Sequence, residues 1–341
     1  MSPRACILGC AGPTLSKEEI AFFRDVKPWG FILFGRNVET PDQVRKLTDA
    51  LRGTVGRPDA PILIDQEGGR VQRLRAPHWR TYPPGRAYGR LAGNDPLLKR
   101  EIARLGARLI AHDLAALGIN VDCVPVLDVP DPAGHEIIGD RAYGQTPDEV
   151  ASLGRAAAEG LIAGGVLPVI KHIPGHGRAM ADSHLELPVV EASWDELDTR
   201  DFPPFRALSD MPMAMTAHVI YAAIDRKHPA TTSKKVHRKA IRGAIGFDGL
   251  LMTDDLSMKA LSGDFTDRAR DSLSAGCDVV LHCNGDMGEM KAVVAGTGPL
   301  RGKSARRADA ALARLPRKAE PLDLAEAVAR FEAAFETRPA A

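Results

Sequence analysis

The segment Lys171-His-Ile-Pro-Gly-His-Gly-Arg-Ala-Met-Ala-Asp-Ser-His184 concentrates one ammonium, three imidazoles and a carboxylate in a short, glycine-broken stretch. Asp182 stands two residues before His184, close enough for the carboxylate to hold the ring and raise its basicity. That pairing suits a general acid/base. Pro174-Gly-His-Gly reads as the start of a mobile loop with a Gly175–Gly177 hinge. A second constellation, Asp65-Gln-Glu-Gly-Gly-Arg-Val-Gln-Arg73, bends at its glycine pair. Asp65 is placed to accept from sugar hydroxyls, and Arg73 returns over the same site. Read blandly, the same run is a charged turn capping a helix.

Other polar residues admit two readings each. Arg141, in Asp140-Arg-Ala-Tyr-Gly144, is either a surface charge or a donor to substrate oxygens at a pocket rim. Asp122 is either a pocket group or the partner of an arginine in the wall. His218 is equally a hydrogen-bonded wall histidine or a substrate contact. His172, His176 and His184 with Asp65 or Asp254 permit a zinc site, and so a metal-dependent hydrolase. Against this, His172 and His176 span a Pro-Gly turn, and no His-x-His pair occurs.

These residues need a frame that brings them together. Eight apolar, often β-branched runs recur along the chain: 5–8, 30–34, 61–64, 119–124, 167–170, 213–216, 250–253 and 278–282. Helical patterns lie between them near 17–26, 41–53, 96–117, 147–163, 194–208, 234–244 and 264–275. Ser16, Thr40-Pro41 and Thr146-Pro147 supply start signals. Eight such units predict an α/β fold, a single (β/α)₈ TIM-type barrel. A doubly wound open sheet is the runner-up, but no Gly-x-Gly-x-x-Gly follows the first strand. Helical patterns near 303–315 and 322–336 predict extra C-terminal helices, so 1–341 is expected to be one catalytic domain with 300–341 packed on it. Asp65, Lys171, His172, Asp254 and Asp255 fall at the C-terminal ends of strands, where barrels place their chemistry. The long connections 77–84, 128–143 and 175–188 leave the same end.

With 45 Lys+Arg against 44 Asp+Glu in 341 residues, the near-zero net charge lacks the footprint of a general nucleic-acid binder. No apolar run is long enough to span a membrane. The N-terminus lacks a secretory pattern, and five cysteines are too sparse for a disulfide scaffold, so a reduced, cytoplasmic setting is expected. Cys6, Cys10, Cys277 and Cys283 admit a cluster, because first and last strands adjoin in a closed barrel, but the preferred reading is buried reduced thiols.

Ile64-Asp-Gln-Glu-Gly-Gly-Arg-Val-Gln-Arg73, Lys171-His-Ile-Pro-Gly-His176, Asp182-Ser-His184 and Gly246-Phe-Asp-Gly-Leu-Leu-Met-Thr-Asp-Asp-Leu-Ser-Met258 together resemble glycoside hydrolase family 3. More closely, they resemble its bacterial NagZ-type β-N-acetylglucosaminidases. The likeness runs from about residue 20 to 285, with the motifs in order. It implies removal of terminal, non-reducing β-linked N-acetylglucosamine with retention of configuration. The acceptor is water, or phosphate if the chain is a phosphorylase of the family. It implies Asp254 as nucleophile, His184 as acid/base oriented by Asp182, and sugar binding by Asp65, Arg73, Arg141, Lys171 and His172. It implies neither metal nor organic cofactor. The implied substrates are N-acetylglucosaminyl-1,6-anhydro-muropeptides of cell-wall recycling, with no nucleic-acid or membrane partner. Ile173 and Tyr143 depart from the aromatic and Phe usual at those positions. A non-catalytic sugar-binding protein is the third reading, weakened because both Asp254 and His184 are present.

Overall fold

The computed structural model describes residues 2–91, 95–131, 134, 136–179, 183, 186–316 and 318–336. Eight parallel strands close into a barrel: β1 (Arg4–Leu8), β2 (Pro28–Leu33), β3 (Ile62–Ile64), β4 (Val121–Asp122), β5 (Leu167–Ile173), β6 (Met213–Thr216), β7 (Leu250–Asp255) and β8 (Val279–His282). They follow one another in order around the barrel, and β1 pairs with β8 through Cys6 and Val280. Every apolar run of the sequence thus corresponds to a strand.

The side chains alternate as strands require. Leu63, Val121, Leu167, Val169, Met213 and Met252 pack together inside the barrel. Ile62, Ile64, Ile170, Ala214 and Leu251 face outward into the helical shell. That shell comprises α1 (Lys17–Val26), α2 (Pro41–Val55), α3 (Pro96–Ala115), α4 (Pro147–Ala163), α5 (Phe202–Ala207), α6 (Phe265–Ala275) and α7 (Met287–Ala295). Start signals act as expected. Ser16 and Glu19 form a reciprocal capping box on α1, and Thr40 and Thr146 cap α2 and α4 ahead of a first-turn proline. Before α5 the turn Leu197–Asp201 widens to π geometry. Pro203 and Pro204 follow it and offer no N–H to a regular ladder.

Two further helices, α8 (Gly302–Leu312) and α9 (Leu324–Glu336), pack on this frame. Arg307 of α8 bonds Asp248 and Asp278, which precede β7 and β8 at the barrel's N-terminal end. Phe331 of α9 lies edge-on to Tyr82, and Arg80 pairs with Glu332 at 2.5 Å, so α9 props the connection that follows β3. All five cysteines are buried and free.

Candidate active site

Beyond β3 the chain folds back as a tight hairpin, Gln66–Gly68 against Val71–Gln72. Gly68 turns it with φ of 90°, and a Cβ there would lie 2.2 Å from the Pro83 carbonyl oxygen, so no other residue fits. The Gln66 side chain accepts from the N–H groups of Arg73 and Leu74, both at 3.0 Å. Arg73 is thereby returned beside Asp65, 3.0 Å from its Oδ2, with its guanidinium over the Phe34 ring. The charged turn is a site wall, not a helix cap.

Asp65 and Glu67 are alternate residues, and both reach Lys171 from β5, whose Nζ lies 2.9 Å from Asp65 and 2.6 Å from Glu67. Arg141 grips Glu67 with two bonds of 2.8 Å. The result is an unbroken row of alternating charge, Arg73–Asp65–Lys171–Glu67–Arg141. Burial would push both carboxyls up. The Lys171 ammonium with Arg73 instead holds Asp65 far below the usual carboxylate range, and Arg141 with Lys171 lowers Glu67 to about 2.

The Lys171–His172 peptide is cis, and both side chains line the cavity. Beside them, Asp128 Oδ2 lies 2.6 Å from His172 Nδ1, while Asp128 Oδ1 accepts from the N–H groups of His172 (3.1 Å) and His176 (2.7 Å). Asp254, at the end of β7, accepts Asp255 N–H at 2.8 Å. Burial opposes its charge, but His172, His218, the Asp255 N–H and Lys171 together hold its carboxyl below the normal range. Asp255 is taken up by Ser257 (2.5 Å) and Cys283 N–H (3.2 Å), which ties β7 to β8.

Asp65, Arg73, Arg141, Lys171, His172 and Asp254 therefore surround one cavity of about 280 Å³ at the C-terminal mouth of the barrel. Asp182 and His184 lie outside the described residues. His218 is a wall histidine: Nδ1 meets Thr231 Oγ1 at 2.7 Å and Nε2 meets the Asp255 carbonyl at 3.0 Å. Among the described residues Asp122 pairs with no arginine and instead accepts Gln66 N–H at 2.9 Å. The Gly175–Gly177 stretch, expected to act as a hinge, is closely packed in this structure. Tyr221 donates to the Gly175 carbonyl at 2.6 Å, and a Cβ on Gly177 would meet the Val129 oxygen at 1.9 Å. Among the described residues, no three His, Cys, Asp or Glu side chains cluster as a metal would require.

Asp122 supplies a pH-dependent prediction. Its Oδ2 is buried without a partner among the described residues. Burial pushes its carboxyl up to about 8, with Asp65 and Glu67 adding to the rise and Gln66 N–H and Lys171 opposing it. In the unfolded chain it ionises near ~3.9, so the folded state keeps a proton that the unfolded state releases. Stability is then lost as pH rises between those values, at about 1.4 kcal/mol per pH unit. Asp122→Asn is expected to gain on wild type from pH 5 to pH 8 in denaturant midpoint. Parallel curves would show Asp122 ionised in the fold.

The glycosyl hydrolase family 3 N terminal domain matches residues 14–317. This chain belongs to glycosyl hydrolase family 3. A protein from Methylobacillus flagellatus named a beta-hexosaminidase is 40% identical over 282 residues, spanning 82% of this chain and 80% of its own. NagZ from Neisseria gonorrhoeae, solved with N-trifluoroacetyl-D-glucosamine, superposes with a TM-score of 0.85 at 33% identity, covering 98% and 97% of the two chains. A family 3 β-N-acetylglucosaminidase from Paenibacillus sp. FPU-7 gives 0.82 at 32% identity; 97% of this chain spans 66% of that one. The family 3 barrel and the mouth-facing charges of this chain are thus features of a glycoside hydrolase.

Proposed function

We propose that this chain is a retaining exo-β-N-acetylglucosaminidase that releases terminal N-acetylglucosamine from 1,6-anhydro-muropeptides in cytoplasmic cell-wall recycling. One observation carries the reading. An ionised carboxylate, Asp254, shares a cavity with a fixed row of charges suited to sugar hydroxyls. The cavity's size, below the ~300–1,000 Å³ usual for drug-sized ligands, favours one sugar ring over an extended chain. The β-hexosaminidase relatives support the substrate class.

Asp65, Glu67 and Lys171 act as prearranged acceptors and donors, and Arg73 and Arg141 hold the carboxylates in place. Each is bonded before substrate arrives, so little reorganisation is left for the transition state. An Asp254 oxygen attacks the anomeric carbon as the glycosidic C–O bond breaks, and His184 gives its proton to the leaving oxygen. Water then attacks the same carbon, His184 takes the water proton, and Asp254 leaves. Two inversions give net retention. A histidine acid avoids a second anion beside Asp254, and its ordinary pKa of about 6.5 suits turnover near neutrality. Asp182 holds that ring.

The test is capture of the covalent intermediate. A fluorinated N-acetylglucosaminyl inactivator that slows the second step should add one sugar per chain, in EDTA, on the peptide carrying Asp254. Label on another residue overturns the nucleophile assignment. Turnover abolished by EDTA and restored by zinc overturns the metal-free mechanism. A sugar 1-phosphate formed in phosphate buffer makes the chain a phosphorylase.

A further inference from the structure

A further cavity opens at the N-terminal end of the barrel. It measures about 510 Å³, larger than the one at the mouth and within the ~300–1,000 Å³ of small-molecule sites. One wall is a face of α8 and the turn beyond it. Lys303, Arg306, Arg307, Ala310 and Arg314 recur there at the three- and four-residue spacing that aligns side chains on a helix. The opposite wall is the pair of connections leading into β6 and β7, which contribute Asp210 and Asp248.

The charges around this cavity do not cancel. Arg307 bonds the Asp248 carboxylate and also reaches Asp278 at 3.2 Å. Both oxygens of Asp210 are taken by Arg155, which lies outside the cavity, at 2.5 and 3.3 Å. Each carboxylate of the lining thus has an arginine of its own, and that bond holds its carboxyl below the ordinary value. Lys303, Arg306 and Arg314 are left over, all exposed. Arg314 gives one N–H to the Asp210 carbonyl at 2.9 Å. The side chains of Lys303 and Arg306 make no hydrogen bond or ion pair among the described residues. Three uncompensated cations therefore face one concavity on a chain whose net charge is only +1. Such a concavity concentrates anions.

We infer that this cavity binds a small polyanion carrying two or more linked phosphates, held by Lys303, Arg306 and Arg314. Eleven residues at a rise of about 1.5 Å set Lys303 and Arg314 roughly 16 Å apart along the helix direction, with Arg306 between them. That span suits several linked phosphates better than one. The guanidinium forks match phosphate oxygens, and the ammonium adds a point charge. Among the described residues no aromatic ring lines the cavity, so nothing stacks on a nucleobase. The recognised group is the oligophosphate itself, free or as part of an ester. Gly249 of the lining directly precedes β7, whose far end carries Asp254. The ligand therefore sits across the barrel from the sugar cavity and leaves it open.

Isothermal titration of the full chain with inorganic triphosphate at low ionic strength tests the site. One triphosphate per chain is expected, with affinity falling as salt is added. Replacing Lys303 and Arg306 together by alanine should weaken binding by at least roughly tenfold. Both side chains are exposed and unbonded, so folding and turnover of an aryl β-N-acetylglucosaminide should not change. Lys46→Ala, which removes an exposed cation of α2, should bind as wild type does. ATP should bind within about threefold of triphosphate, and orthophosphate at least roughly tenfold more weakly. No saturable binding, or an equal loss in Lys46→Ala, overturns the site. Orthophosphate as tight as triphosphate, or ATP roughly tenfold tighter than it, overturns recognition through linked phosphates. Competitive inhibition of glycoside turnover by triphosphate that persists in the double variant moves the ligand to the arginines of the mouth, and overturns the assignment too.

Discussion

Asp254→Asn is expected to lower kcat/KM on para-nitrophenyl β-N-acetylglucosaminide by at least roughly 10³-fold. The amide has the size of the carboxylate, and its oxygen can still accept Asp255 N–H, the bond that now measures 2.8 Å. The loss therefore reads chemistry rather than folding. On the proposed mechanism what disappears is the nucleophile, a carboxylate held below its normal range by His172, His218, the Asp255 N–H and Lys171 against the cost of burial. Asp254→Ala opens space on the same face of the sugar. Azide should enter there, restore turnover of an activated glycoside and leave the α-glycosyl azide, the product of a single inversion. A variant that keeps a tenth of wild-type activity, or a rescued product of β configuration, would sink the assignment. Asp255→Asn provides the contrast. That carboxylate is spent on Ser257 and Cys283, so its loss should act through the β7–β8 join.

The second large effect is on stability. Lys171 is 2% exposed and sits between two carboxylates that are themselves removed from water. Lys171→Met fills a similar volume but leaves Asp65 and Glu67 facing each other, with only Arg73 and Arg141 at the outer ends of the row. Removing one partner from a buried ionic group costs about 3–5 kcal/mol, and that loss is expected in equilibrium unfolding by denaturant. Glu67→Gln added to Lys171→Met should recover part of it, because one unpaired charge goes with the lysine. A loss below about 1 kcal/mol would mean that the two arginines neutralise the carboxylates unaided. Sugar binding should fail in Lys171→Met either way, since the ammonium is the only cation at the centre of the row.

How much of this was legible beforehand differs between frame and site. The strands were readable because each carries a dense apolar run, and strands buried on both faces leave that signature. The helix α7 was not foreseen. Its sequence Met287-Gly-Glu-Met-Lys-Ala-Val-Val-Ala295 lacks a polar stripe and contains Gly288, although Asp286 caps it. In the site, the described residues among those the motifs name line one cavity, whereas Asp182 and His184 lie outside the described residues, and two partners, Glu67 and Asp128, go unnamed by the motifs. Glu67 had a signal: it follows Asp65 by two, and alternate residues of an extended segment share a face. Asp128 had none, since it opens a long connection, and only the fold brings it under His172. The glycine pair carries a related ambiguity. Gly175 and Gly177 read as freedom in the sequence, and in the structure their missing side chains also admit Asp201, Val129 and Tyr221 at close range. Small residues permit packing as readily as motion, and sequence alone does not tell which.

The join between β1 and β8 also bears on how the molecule is made. Its two strands are the first and last of the barrel, separated by some 270 residues of chain between Cys6 and Val280. On a ribosome adding roughly 5–20 residues per second, Arg4–Leu8 emerges tens of seconds before the strand that will cover its open side. Through that interval Cys6, Ile7 and Leu8, all wholly buried at the end, belong to an unfinished sheet with a free edge. The nascent chain thus passes through a period in which β1 waits beside an unpaired sheet edge. A burden on chaperones during synthesis is the cost of a closed barrel whose seam unites its two ends.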